Sequence, residues 1–427
     1  MKRRHYTRRG FMNSHYSGNR PTALRAPGRA GLALAVAACL AVNASGGAQR
    51  DSARADRRPG EFAVLFSFGY GDDDLFPRDR AKYEEVIETV KAGGFNAVMG
   101  TYADWKVEMC RKHGLKFMVN LLTRDYHVYK NVEPARALCR KLRGDQTIWG
   151  YHLFSDMNYK TAGGRNRDID NVHEWDPTHP SFVGSHNLSG NSRLTSPDVF
   201  GYYDFHWQRG PHMNFPHLLS AWKDARGKDA RFYRWMRATS GLAGKGNPNR
   251  CLYTANTSIA FGLKGILWFI GQEMMDRKTW QWNQFGRDIC KVNAEIAPLA
   301  PEIMKLGNPT AVYSTPTTRT LNDRPKADPA PAVPPPLEAI PQGHWLRVTS
   351  GQAVLGLFQD DRRRDAVFAA NHNAYAPQEM ALELAAAVRS VEQFDRKTRR
   401  WKALEVSGKS VRFRLDPAGG ELLRVEK

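Results

Sequence analysis

Carboxylates, amides and aromatic rings recur at the ends of apolar runs along this chain. Asp156 and Asn158 follow the run 147–154, while Asp204, His206 and Trp207 close the run 199–205. Glu273 follows 265–270, Tyr102 follows 95–100, and His186 follows 181–185. Asn120 and Arg237 lie at the ends of 115–121 and 232–238. Two carboxyl groups on either side of a glycosidic bond can divide its cleavage between them, one protonating the leaving oxygen and the other acting as base or nucleophile. Amides, imidazoles and guanidinium groups pair with sugar hydroxyls, and aromatic rings stack on sugar C–H faces. The expected acids are therefore Asp156, Asp204 and Glu273. The expected sugar contacts are Tyr102, Asn120, Asn158, His186, His206, Trp207 and Arg237. Plainer roles compete: Asp204 as a structural hydrogen-bonder, Glu273 as a solvated loop carboxylate, and Trp268, inside an apolar run, as core. Asp204 and His206, two apart on one strand face, would also suit a metal pair. No tight ligand motif surrounds them, so neither metal nor other cofactor is expected.

These residues can meet only if the runs that carry them are parallel strands. The run Phe62–Phe68 is almost wholly apolar, as a strand buried on both faces must be. Tyr83, Val86, Ile87 and Val90 then recur at helical spacing before Gly93 and Gly94, a helix stop. The unit repeats with a helix over 104–113 ending at Gly114 and another over 133–143 ending at Gly144. Eight such runs with right-handed crossovers favour a closed (β/α)8 barrel, a TIM barrel, over 61–306. An open doubly wound sheet is the alternative, but no Gly-x-Gly-x-x-Gly follows the first strand. The last helical segment, 280–305, should bend at Pro298 or Pro301.

Residues 321–343 hold seven prolines and predict an extended linker or exposed loop. From 344 to 427, short alternating runs separated by polar turns predict a small antiparallel β-sandwich.

The formal net charge is +20 in 427 residues. Eight of the basic residues lie in the first 44, where there is no acid. The rest are scattered and accompany no nucleic-acid-binding motif, so a nucleic-acid partner is not expected. A basic segment followed by the apolar run 31–42 and Val42-Asn43-Ala44 reads as an export signal within residues 1–48. Arg8-Arg9 resembles a twin-arginine signal. Val36-Ala37-Ala38-Cys39 resembles a lipoprotein box, which would make Cys39 a lipid anchor. The apolar run is too short to span a bilayer stably, and an exported, carbohydrate-acting protein is expected. Cys110 and Cys139 fall on apolar helix faces, which predicts buried free thiols.

Trp149-Gly150-Tyr151-His152-Leu153, followed by Phe154-Ser155-Asp156-Met157-Asn158, resembles the strand-four signature Gly-Tyr-x-Leu-x-Asp-Glu-Pro of bacterial barrel glycosidases. The resemblance, to β-galactosidase-like and agarase-like hydrolases, continues through Asp176-Pro177-Thr178-His179-Pro180 and Val199–Asp204. It ends in Leu415-Asp416-Pro417-Ala418-Gly419-Gly420, similar to the last hairpin of their accessory sandwich. It implies a glycoside hydrolase fold, a carbohydrate substrate and an acid at the position of Asp156. The departure is that Asp156 stands where those enzymes carry Glu, and Ser155 where they carry Asp. The resemblance thus also accommodates a binding protein that has lost hydrolysis.

Overall fold

The structure is a computed structural model that describes residues 57, 59–68, 77, 79–154, 159–185, 193–195, 197–203, 215–237, 248–269, 271–317, 332–385 and 388–427. Eight strands close into a parallel barrel in chain order: β1 (Ala63–Ser67), β2 (Ala97–Gly100), β3 (Lys116–Asn120), β4 (Ile148–Phe154), β5 (Ser181–Ser185), β6 (Val199–Tyr203), β7 (Arg231–Arg237) and β8 (Leu263–Phe269). Closure is made by β8 against β1, with Ala63 opposite Gly265 and Phe66 opposite Trp268.

The apolar continuity of β1 has a simple cause. Ala63 and Leu65 point into the barrel, where they join Met99, Met118, Phe182, Tyr233 and Trp235. Val64 and Phe66 point out into the helical layer. Inside, bulky rings on β5 and β7 are matched by missing side chains on their neighbours. A Cβ at Gly201 would lie 2.5 Å from the Phe182 ring, and one at Gly265 would lie 2.3 Å from Tyr233. The interior is therefore a packed core rather than a pore.

The outer layer contains α1 (Arg80–Ala92), α2 (Asp104–Lys112), α3 (Val132–Leu142), α4 (Tyr159–Trp175), α5 (Phe215–Gly227), α6 (Pro248–Ala260), α7 (Gln284–Ile296) and α8 (Ala300–Lys305). Helix α1 shows how local sequence sets an element. Asp79 caps its start by accepting from the Lys82 amide, and Tyr83, Val86, Ile87 and Val90 form its buried stripe. Gly94, at φ +80, lets the chain leave it. Pro298 lies in the break between α7 and α8, whereas Pro301 is taken up in the first turn of α8. The buried Lys264 of β8 reaches across to that short helix and donates to the carbonyls of Ile303 and Leu306, the latter at 2.8 Å. Cys110, Cys139 and Cys251 are buried free thiols. Among the described residues no helix is long and apolar enough to cross a membrane.

Ten further strands build a two-sheet antiparallel sandwich. One sheet has the order β10 (Leu346–Ser350), β13 (Gln378–Leu384), β17 (Ser410–Leu415), β16 (Val406–Ser407). The other runs β15 (Arg400–Ala403), β14 (Ser390–Asp395), β18 (Gly420–Glu426), β12 (Asp365–Asn371), β11 (Ala353–Gln359), β9 (Ala311–Ser314). Its edge strand β9 precedes the proline-rich stretch, pairing Tyr313 with Leu355. From that stretch, Leu337 is buried and Glu338 bridges to Tyr313.

The six-stranded sheet is buried on both faces. Leu355, Leu357, Val367, Leu423 and Val425 face the other sheet. Val354, Phe358, Phe368, Ala370 and Leu422 belong instead to the apolar cluster of the barrel's helical layer. Helix α6 is the contact: Asn256 Nδ2 donates to the Ala418 carbonyl at 2.8 Å, and a Cβ at Gly356 would fall 2.1 Å from the carbonyl oxygen of Ala260.

Candidate active site

Because all eight strands are parallel, their C-terminal ends share one rim, the face on which barrel enzymes build their sites. Asp156 follows the last residue of β4 with only Ser155 between, and Asp204 directly follows β6. Glu273 lies in a 3-10 turn, Gly271–Met274, just beyond β8. Asp156, Asn158, His186, Asp204, His206 and Trp207 lie outside the described residues, as does the side chain of Arg237, the last residue of β7.

Among the described side chains, Asn120 and His152 meet inside this end of the barrel. Asn120 Oδ1 accepts from the Leu122 amide at 3.1 Å and lies 3.2 Å from His152 Nδ1. The imidazole packs between the Phe182 and Trp235 rings, with centroids 5.7 and 5.4 Å away. Burial pushes its pKa down to about 3, so it is neutral over the ordinary pH range. The Asn120 Nδ2 is buried and has no hydrogen-bond partner among the described residues. Such an orphaned donor is costly in a finished core and is expected where a ligand or water completes the shell. Sequence reasoning singled out Asn120 but missed His152, which reads as one more residue of a buried run. Register irregularities in β4 on either side of His152 upset the strand's plain alternation.

Glu273 is a part-exposed carboxylate 3.3 Å from Nη2 of Arg277, and its backbone carbonyl accepts from Asn283. Tyr102 is placed differently from the other expected contacts. Its ring joins the helical-layer cluster and its hydroxyl is bound to Asp104, which also pairs with Lys141 at 2.6 Å. The Trp268 ring is core: its Nε1 donates to Asn293 at 2.9 Å, and Asn293 donates on to the Gly93 carbonyl.

Two buried polar networks lie at the opposite, N-terminal rim. Asp198, just before β6, accepts from His173 Nε2 at 2.7 Å, from the Ser181 amide at 2.9 Å, and from Arg57. The trio of Ser181, His173 and Asp198 has the composition of a nucleophilic triad but not its wiring. Both partners use the same nitrogen, Nε2, whereas a proton relay needs one on each ring nitrogen. In the second network Asp176 accepts from Tyr151, from His179 Nδ1, both at 2.6 Å, and from the Thr178 amide. Burial alone would raise its pKa, but the His179, Thr178 and Tyr151 hydrogen bonds outweigh it and bring the carboxyl to about 2. Asp176-Pro177-Thr178-His179-Pro180 is thus a clamp across the barrel's floor. That face serves stability rather than catalysis.

The buried imidazoles have a measurable consequence. His372, between the Tyr253 hydroxyl and Ser314 Oγ, is pushed by burial to about 4. Both histidines have folded pKa values below the ordinary 6.5 of an unfolded chain. Above that value neither state binds the proton and nothing changes. As pH falls through it, the unfolded chain gains protons that the folded protein refuses. Stability is therefore full above about pH 7 and lost toward pH 4, at up to about 1.4 kcal/mol per histidine per pH unit. The carboxylate of Asp176 begins to cost stability only below its unfolded pKa of about 4. Urea midpoints at pH 7.5, 5.5 and 4.5 measure this, and His372→Gln should flatten the slope. A midpoint constant across that range would contradict the assignment.

No family model matches the chain, and no curated protein matches it. Solved structures do share its fold. A putative α-galactosidase from Bacteroides fragilis superposes with a TM-score of 0.51 at 9% identity, over 87% of this chain and 80% of that one. A family 5 glycoside hydrolase from Bacteroides vulgatus gives 0.51 at 10% identity, over 85% and 89%. The chain therefore shares its fold, a closed (β/α)8 barrel followed by a β-sandwich, with these two structures.

Proposed function

We propose that the protein is an exported glycoside hydrolase acting on an oligo- or polysaccharide. Asp156 is the general acid, and Asp204 or Glu273 is the second carboxylate. The observation that carries the reading is the closed parallel barrel itself, since β4, β6 and β8 end on one rim and each is followed within four residues by one of these acids. The buried Asn120 and its orphaned amide at the same end support a polar ligand there. In the reaction Asp156 gives its proton to the glycosidic oxygen as the bond to the anomeric carbon breaks. The second carboxylate attacks that carbon directly, or takes a proton from an attacking water. A separation of about 5 Å between the two carboxyls would give retention, and one of roughly 6.5–9.5 Å inversion.

One feature favours a second reading. Asp156 is a methylene shorter than the Glu of the resembling enzymes, and Ser155 replaces their Asp. A carbohydrate-binding protein without turnover would tolerate both changes. Purified protein incubated with a panel of neutral and acidic polysaccharides separates the two. Release of new reducing ends is expected. Saturable binding with no release after prolonged incubation would replace the hydrolase by the binding protein.

A further inference from the structure

A cavity of about 500 Å³ opens beside the C-terminal rim of the barrel, between the loop that follows β3 and the middle turns of α4. Gly164, Asp168 and Asn171 recur at helical spacing along one face of α4 and form its floor. At Gly164 an added Cβ would meet nothing within 4 Å, so the floor is open there. Tyr129 forms the wall. It is 37% exposed, one of two large apolar side chains so exposed among the described residues.

The charges around this cavity do not cancel. The Arg165 guanidinium lies 3.5 Å from the Tyr129 ring centroid and donates to Asp168 at 3.1 Å, which neutralises that carboxylate. Arg167 is exposed, lines the cavity, and makes no ion pair among the described residues. Lys130 lies 5.8 Å from the Tyr129 ring. The pKa of the neighbouring His127 is lowered, by burial first and then by Lys130 and Arg165. One positive charge, Arg167, thus remains among the lining residues, together with an exposed ring and the amide of Asn171. Arg165 also faces the ring of Phe154, at 5.5 Å, which ties this wall to the end of β4.

We propose that this cavity is a subsite for an anionic sugar unit, whose C–H face lies on Tyr129 and whose carboxylate or sulfate faces Arg167. The inference rests on the glycosidase reading and extends it to acidic polysaccharides. Charge-assisted hydrogen bonds to a guanidinium supply the selectivity, and the ring supplies contact area that is indifferent to charge.

Calorimetry of the purified protein with an oligogalacturonate, a sulfated oligogalactan and an uncharged galacto-oligosaccharide tests it. At least one acidic chain should bind more tightly than the uncharged one, and which of them does so identifies the anionic group. Arg167→Glu should weaken that chain about tenfold or more and leave the uncharged one unchanged. Tyr129→Ala should weaken both, with thermal midpoints confirming that each variant folds. The proposal is overturned if no acidic chain is preferred, or if Arg167→Glu shifts its affinity by less than about twofold. Binding is read without turnover, so the two claims fail separately. Hydrolysis that persists alongside an inert Arg167→Glu removes only the subsite. Charge-selective binding without hydrolysis removes only the catalytic reading.

Discussion

A chain shortened by removal of residues 344–427 is expected to be recovered as aggregate, not as a free barrel. The reason is the second buried face of the six-stranded sheet. Helix α6 is buried almost all round, with Tyr253, Ala255, Ile259 and Ala260 among its covered residues. Its polar Thr254, Asn256, Thr257 and Ser258 are buried too, so the helix is covered on every side and depends on all of its neighbours. Part of that cover comes from Val354, Phe358, Phe368 and Leu422 of the sandwich, which share one apolar cluster with it. Each large side chain returned to water costs about 1.5–3 kcal/mol. The deleted face of four is therefore worth about 6–12 kcal/mol, comparable with the roughly 5–15 kcal/mol by which a domain is normally stable, and its loss uncovers the partners on α6.

Polar ties would be lost as well: Asn256 to Ala418, Tyr253 to His372, Glu295 to Arg396 at 3.2 Å, and Glu302 to Trp401. The unpaired edge of β9 would be left behind as a template for aggregation. Soluble yield and gel filtration of the truncated chain measure the outcome. A monomeric barrel with a cooperative thermal transition would show the sandwich to be a separable module.

The same two-faced burial explains what the sequence could and could not disclose. The eight barrel strands were legible because burial on both faces writes them as continuous apolar runs, as in the residues Ala63–Ser67. Strand β11, Ala353–Gln359, buried at every residue but its last, is written in the same way. Other strands of the sandwich are short and wet and leave no such mark. In β15, Arg400–Ala403, no residue is fully buried, and β16 is only Val406–Ser407. Strand β9 was hidden by its place before the proline-rich stretch, since its partner β11 is remote in the chain.

The site was legible in a similarly uneven way. Asn120 stands at the end of an apolar run, where a polar residue is conspicuous, and its buried Nδ2 has no partner among the described residues. His152 lies within such a run and looks like filler until Asn120, Phe182 and Trp235 are seen around it. Tyr102 read as a rim platform because its position after β2 is right. Local sequence does not record that its hydroxyl turns outward to Asp104. The floor networks of Asp176 and Asp198 depend on partners from other elements, which no spacing rule brings together.

Asp156→Asn is expected to lower kcat by about a thousandfold while leaving glycan affinity within a few-fold of the wild type. The carboxamide keeps the shape and a hydrogen-bond donor, but it has no proton of suitable acidity to give to the leaving oxygen. The loss should shrink for a substrate with a good leaving group such as a nitrophenolate, which departs without that proton. That dependence separates an acid from a residue that merely shapes the cleft, whose removal would slow both substrates alike. Asp156→Glu restores the missing methylene and so moves the carboxyl toward the bond. If the shorter side chain limits the rate, this variant should match or exceed the wild type. If the protein is instead a binding relative, it is the change expected to reveal weak hydrolysis where there was none. Wild-type turnover that Asp156→Asn leaves untouched would remove the acid role from Asp156 and leave Asp204 and Glu273 as the pair to test.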